Sequence, residues 1–170
     1  MVQATAKANA TNDAKYDGYK KLLEDEDRVS LMARLVYAET AAANCPALAE
    51  KIAPLIAEAI GNRIRKRSGD VSRVVYQRNQ FSSSLNIYTE SRYREFLCPK
   101  DLALWATAFV SAEAELARKA PKRLSPDSVN YYLFKHSPRF KFPNWKLAED
   151  RGHGEELRPC IRFFKVPKWR

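Results

Sequence analysis

Glycine is scarce in this chain, with 5 in 170 residues. Neither GxGxxG nor GxxxxGK[ST] occurs, which excludes a phosphate cradle built on glycine-rich backbone. Long apolar runs are also lacking. No stretch approaches the roughly 18 apolar residues that a membrane-crossing helix needs, so no membrane insertion is expected. The opening segment, MVQATAKANATNDAKYDGYK, has no apolar core of the kind a secretory leader carries. Cysteine is limited to Cys45, Cys98 and Cys160, far apart and without a CxxC pair, which removes zinc-ribbon and thioredoxin readings. An odd count allows at most one internal disulfide and leaves its pairing open. His136 and His153 are isolated; neither a metal nor another cofactor is expected, because a metal site needs more ligands at matched spacing. There are no internal repeats.

What is present suits one domain. Hydrophobic residues make up 45% of the chain, enough for a single core and too little chain for two. Residues 1–26 read as a flexible N-terminal arm and 27–170 as the domain. The net charge of +10 favours an anionic partner: nucleic acid, an acidic lipid surface or a polyanionic cell wall.

The pattern is mainly helical. A first helix is expected from Asp27 or Ser30, either of which can cap it, to about Ala43. A second apolar face runs through Leu55, Ile56, Ala59, Ile60 and Ile64; Pro54 should kink this helix or start a new one, and Gly69 marks its end. Asp70 can cap a short helix over VSRVVYQ. Residues 77–97 are polar and aromatic without sustained period and read as a long loop, of the length that is usually functional. Pro99 opens the clearest helix, with Leu102, Trp105, Ala106, Phe109, Ala112 and Leu116 as its stripe. VNYYLF (129–134) and CIRFFKV (160–166) have strand chemistry and can pair; the stretch between them reads as irregular. The fold class expected is α+β, mainly helical, with a small late antiparallel β-element.

One residue breaks the apolar pattern. In LMARLVYAET (31–40), Glu39 shares helix faces with Leu31, Met32, Leu35 and Val36. A carboxylate on a buried face either escapes to water or pairs with an arginine at the helix end, or it works as a general acid. Partial burial disfavours its charged form and raises its pKa, which acid chemistry near neutral pH requires.

Three blocks, in order, sharpen the choice: Ala33-Arg34 with Val36-Tyr37-Ala38-Glu39, then Asn62-Arg63, then Val74-Val75-Tyr76-Gln77 with Gln80-Phe81-Ser82. This arrangement resembles the SleB/CwlJ family of cell-wall hydrolases, the spore-cortex-lytic type, over about residues 28–166. Asn130-Tyr131-Tyr132, Pro143-Asn144-Trp145 and Phe163-Phe164 are similar to its later features. Two departures stand out. The link after Glu39, TAAANCPALAEK, is longer than is usual in the family and contains a cysteine. Ile161 stands where the family often carries a histidine.

The resemblance implies a lysozyme-like fold and cleavage of the MurNAc–GlcNAc bond of peptidoglycan, with Glu39 as the catalytic acid. It implies an exported protein (periplasm, cell wall or extracellular) that acts as a monomer on glycan strands. Gln80, Phe81 and Ser82 should line the cleft, with Asn86, Tyr131 and Tyr132 as further substrate contacts; the bland alternative has Phe81 plugging the core. Tyr131 and Tyr132 point to opposite faces of a strand, so one should be buried. Tyr37, Asn62 and Arg63 read as structural. Glycosidases usually need a second carboxylate, and Glu90, Glu95, Glu113, Asp150, Glu155 and Glu156 are the candidates, Glu113 foremost. A lytic transglycosylase needs no second acid, and that is the expected reaction, with simple hydrolysis by a muramidase as the alternative. The rivals are a wall-binding protein without turnover and a basic nucleic-acid-binding module, supported by arginine and lysine interleaved with aromatics at 131–145 and 161–170.

Overall fold

Asp27 starts the first helix, α1 (Arg28–Ala42). Its Oδ1 accepts hydrogen bonds from the amides of Val29 and Ser30 at 2.8 and 3.0 Å, satisfying donors that the first turn leaves open. The computed structural model describes residues 21–77, 81, 96–124, 129–137, 139–141, 148–151 and 155–165, with backbone alone at 129–131. Most of the expected loop at 77–97 lies outside them.

The chain leaves α1 through Asn44, which takes a left-handed φ of 52°, and a 3-10 turn over Pro46–Leu48. Helix α2 (Ala49–Lys66) runs through Pro54 rather than restarting there. Its end is sealed by the Gly69 amide, which donates to the Ile64 carbonyl at 2.9 Å. Gly69 sits at φ 78°, a conformation open to a residue without Cβ. Asp70 then caps α3 (Val71–Val75), accepting from the Arg73 amide at 2.9 Å.

Helix α4 (Leu102–Leu116) begins after Pro99, with Asp101 as its cap. The Tyr37 hydroxyl accepts from the amides of Lys100 and Asp101, each at 3.1 Å. Tyr37 is therefore a packing residue of α1 that also fixes the start of α4. The stripe on α4 matches the expected one in part: Ala112 is buried, and Trp105, Phe109 and Leu116 pack against the core. Leu102 is 77% exposed and Ala106 is exposed, while Ala108, Ser111, Ala112 and Glu115 are buried. The helix is apolar nearly all round, so periodicity alone does not mark the face that α1 and α2 cover.

Helix α1 is the central element. It packs against α4, α2 and α3, and from Leu31 to Thr40 every residue but Arg34 is buried. Arg34 reaches out to the Leu97 carbonyl at 2.5 Å and to Glu26 at 2.7 Å.

Strands β1 (Val129–Phe134), β2 (Ala148–Asp150) and β3 (Ile161–Lys165) form an antiparallel sheet in the order β1-β3-β2. Tyr132 is opposite Phe163, and Phe134 is opposite Ile161. The late β-element is thus present, with β2 added in the stretch expected to be irregular. The sheet rests on α2 through β1. The fold is α+β, mainly helical, with a small three-stranded antiparallel sheet.

Cys45 and Cys160 form a disulfide across a Cα–Cα distance of 6.1 Å, and Cys98 is an exposed free thiol. Closing a separation of 115 residues restricts the unfolded chain, a contribution of about 4–5 kcal/mol in the chain-entropy picture.

Candidate active site

Glu39 sits in the last turn of α1 and is 2% exposed. Its spacing groups it with Leu31, Met32, Leu35 and Val36; in the fold α1 is covered on nearly every side, and Glu39 is buried with it. Tyr132 reaches it from β1. The Tyr132 hydroxyl donates to Glu39 Oε2 at 2.7 Å. The pair joins the end of the central helix to the sheet.

The tyrosine is held by rings. Phe134 and Phe163 lie 5.4 and 5.9 Å from its centroid. The guanidinium of Arg63, from α2, stands 5.8 Å from the Tyr132 ring and 4.9 Å from that of Phe81, distances at which a cation is attracted to the ring faces. Burial pushes the Tyr132 hydroxyl well above its ordinary value of 10.0; the Glu39 charge adds to the rise and Arg63 opposes it. Tyr132 therefore stays protonated and acts as a donor to the carboxylate.

Other buried acids have different partners. Glu115 pairs with Arg65 at 2.5 Å and Lys122 at 2.9 Å, close against Gly61, where any Cβ would overlap its carboxylate. Glu58 accepts from the amides of Arg123 and Leu124 at 3.0 and 3.2 Å. Both tie the chain around α4 to α2. Glu39 accepts a hydrogen bond from a neutral phenol.

The structure brings Tyr132 onto Glu39, and Phe81 shares the Arg63 guanidinium with Tyr132; Phe81 is 3% exposed and Tyr132 9%. Phe81 is thus packed in the core, as the bland reading of it had it. Gln80, Ser82 and Asn86 lie outside the described residues. Tyr131 is in β1, with its side chain outside them. Arg63, expected from the sequence to be structural, stands beside the Phe81 and Tyr132 rings. Its signal was its place beside Asn62, but neighbours on a helix face different elements: Asn62 accepts from the Arg65 side chain on the Glu115 side, and Arg63 faces the sheet.

Among the acids weighed as a second carboxylate, Glu113 is exposed. Asp150 is 5% exposed and opposite Phe163, in the same cross-strand row as Tyr132 and therefore on the same sheet face. A cavity of about 690 Å³ lined by Leu23, Glu26, Leu31, Val71 and Tyr76 lies toward the other end of α1 and does not include Glu39. Among the described residues, no three histidine, cysteine or acidic side chains converge as metal ligands, and no helix is long and apolar enough to cross a membrane.

Compared with known protein families, curated proteins and solved structures, the chain matches none.

Proposed function

We propose that this protein cleaves the MurNAc–GlcNAc bond of peptidoglycan as a lytic transglycosylase, on a lysozyme-like fold of the SleB/CwlJ type. The observation that carries the reading is the buried Glu39 carboxyl held by the Tyr132 hydroxyl at 2.7 Å. Tyr132 donates to Oε2 and so orients the carboxyl that transfers the proton. Glu39 gives its proton to the leaving oxygen as the glycosidic C1–O bond breaks. The carboxylate so formed then takes the proton of the MurNAc 6-hydroxyl as that oxygen attacks C1. The product carries a 1,6-anhydro ring, and no water is consumed. One carboxyl serves as acid and then as base. Gln80, Ser82, Asn86 and Tyr131 remain the proposed sugar contacts.

The rest of the molecule agrees with this setting. A disulfide suits an exported protein, and the charge of +10 suits an anionic wall. The proposed enzyme works as a monomer without a cofactor.

The burial of Glu39 favours a second reading: a wall-binding protein of the same shape without turnover. Purified sacculi separate the two. An enzyme releases soluble muropeptides in wild-type form and loses that release in Glu39→Gln, whose amide cannot donate the carboxyl proton. A binder sediments with the sacculi in both forms and releases none. A salt-sensitive gel shift at physiological ionic strength, with neither behaviour, would point instead to a nucleic-acid module.

A further inference from the structure

The two half-cystines lie on the two parts of the fold that share the Glu39–Tyr132 hydrogen bond. Cys45 follows α1 directly, beyond the left-handed Asn44, in the chain that leaves the turn of Glu39. Cys160 directly precedes β3. Its carbonyl accepts from the Lys135 amide at 2.9 Å, just past the end of β1. β3 then sets Ile161 opposite Phe134 and Phe163 opposite Tyr132. The bridge therefore runs from the Glu39 end of α1 to the register that places Tyr132. A second tie between the same regions, Lys51–Glu156, spans 3.5 Å between exposed side chains, a kind of contact that holds little. β1 itself rests on α2.

We propose that the Cys45–Cys160 disulfide positions Glu39 against the Tyr132 hydroxyl, and that its reduction by a dithiol switches the site off. This rests on the reading of Glu39 as the working acid. A hydrogen bond at 2.7 Å is lost after a shift of about 1 Å, and the bridge ties the chain just beyond the turn of Glu39 to the start of β3, where so small a shift is set. The exchange starts at the Cys45 sulfur, because Cys45 is half-buried while Cys160 is 7% exposed. A thiolate of the dithiol attacks it, the S–S bond breaks, and Cys160 leaves as a thiolate that takes a proton. The second thiol of the reductant resolves the mixed disulfide, releasing Cys45 as a thiol. The bridge gains two electrons and two protons, and the dithiol becomes a disulfide.

The test uses the full chain carrying Cys98→Ser, which removes the exposed thiol from exchange. Oxidised protein is compared with protein reduced by dithiothreitol. Two readouts are taken: steady-state release from sacculi, and the number of tyrosines that titrate near pH 10 by ultraviolet absorbance. Tyr132 is withheld from that titration in the oxidised form chiefly by its burial and further by the facing Glu39 charge, with Arg63 opposing. The expected result is a fall in kcat of about 100-fold with KM little changed, one further tyrosine titrating near pH 10, and reversal of both with oxidised glutathione. Cys45→Ala/Cys160→Ala should behave as the reduced protein does. An unchanged tyrosine count overturns the proposal. So does loss of helical circular dichroism on reduction, which would make the bridge a support of the whole fold. If oxidised protein releases nothing from any wall, the function assigned to Glu39 fails, and the tyrosine count still decides whether the bridge holds the pair.

Discussion

A phenol donating to a buried carboxyl is a costly contact to break, since the remaining partner stays in low dielectric. Tyr132→Phe keeps the ring among Phe134, Phe163 and Arg63 and removes the donor alone. It should cost about 1–3 kcal/mol in a denaturant melt and lower muropeptide release by about 10–100-fold. Tyr132 also sets an alkaline limb. Its pKa is raised on folding, so its contribution is intact below about pH 10 and is lost as pH climbs through the higher folded value. Wild type should lose stability relative to Tyr132→Phe above pH 10, and a melt series across that range measures it. The burial of Glu39 was legible in LMARLVYAET because positions three and four apart share a face. The identity of its partner was not: Tyr132 lies far along the chain, and its strand offered two adjacent tyrosines with no local signal to choose between them. The role of Arg63 was equally hidden, since helix periodicity shows that a residue differs in face from Asn62 but not which element it meets.

At the scale of elements, the caps were readable where a single residue decides. Asp27, Asp70 and Gly69 act where their chemistry says they should. The face of α4 was readable in part: Trp105, Phe109, Ala112 and Leu116 meet the core as the spacing implies, but apolar residues nearly surround the helix, and Ala108 is buried where Leu102 and Ala106 are not. Ala108 and Ala112 are fully buried while Val110 is 63% exposed. Ala112→Leu should therefore overpack the junction and destabilise by about 1–3 kcal/mol, whereas Val110→Ser should stay within about 0.5 kcal/mol; paired urea melts compare them. β2 was missed because so short a strand exists through its pairing with β3. Its Glu149 is gripped by Arg162 at 2.7 Å and Arg158 at 3.1 Å. The Arg162 hydrogen bonds, chiefly, and those of Arg158 hold its carboxyl down from 4.5 to about 2 against the effect of burial. A depressed folded pKa gives stability that is present above about pH 4.5 and drains as pH falls toward 2. Glu149→Gln should lose about 2–3 kcal/mol at neutral pH and show a flatter acid limb between those values.

Across the whole molecule, residue patterning indicated late strands on a helical body, and the described residues fold in that pattern. The disulfide was open on spacing alone, because a pairing over 115 residues depends on how the sheet returns to the end of α1. That return also decides the site: the last strand brings the sheet under the central helix, and Tyr132 meets Glu39 there. The proposed chemistry is tested most directly by mass spectrometry of the products that wild type and Glu39→Gln release from purified peptidoglycan. Anhydro-muropeptides from wild type and none from Glu39→Gln are the expected outcome. Reducing-end products would replace transglycosylation by hydrolysis and turn attention to Asp150 as the second carboxylate. Equal release by the two proteins would contradict the assignment of Glu39.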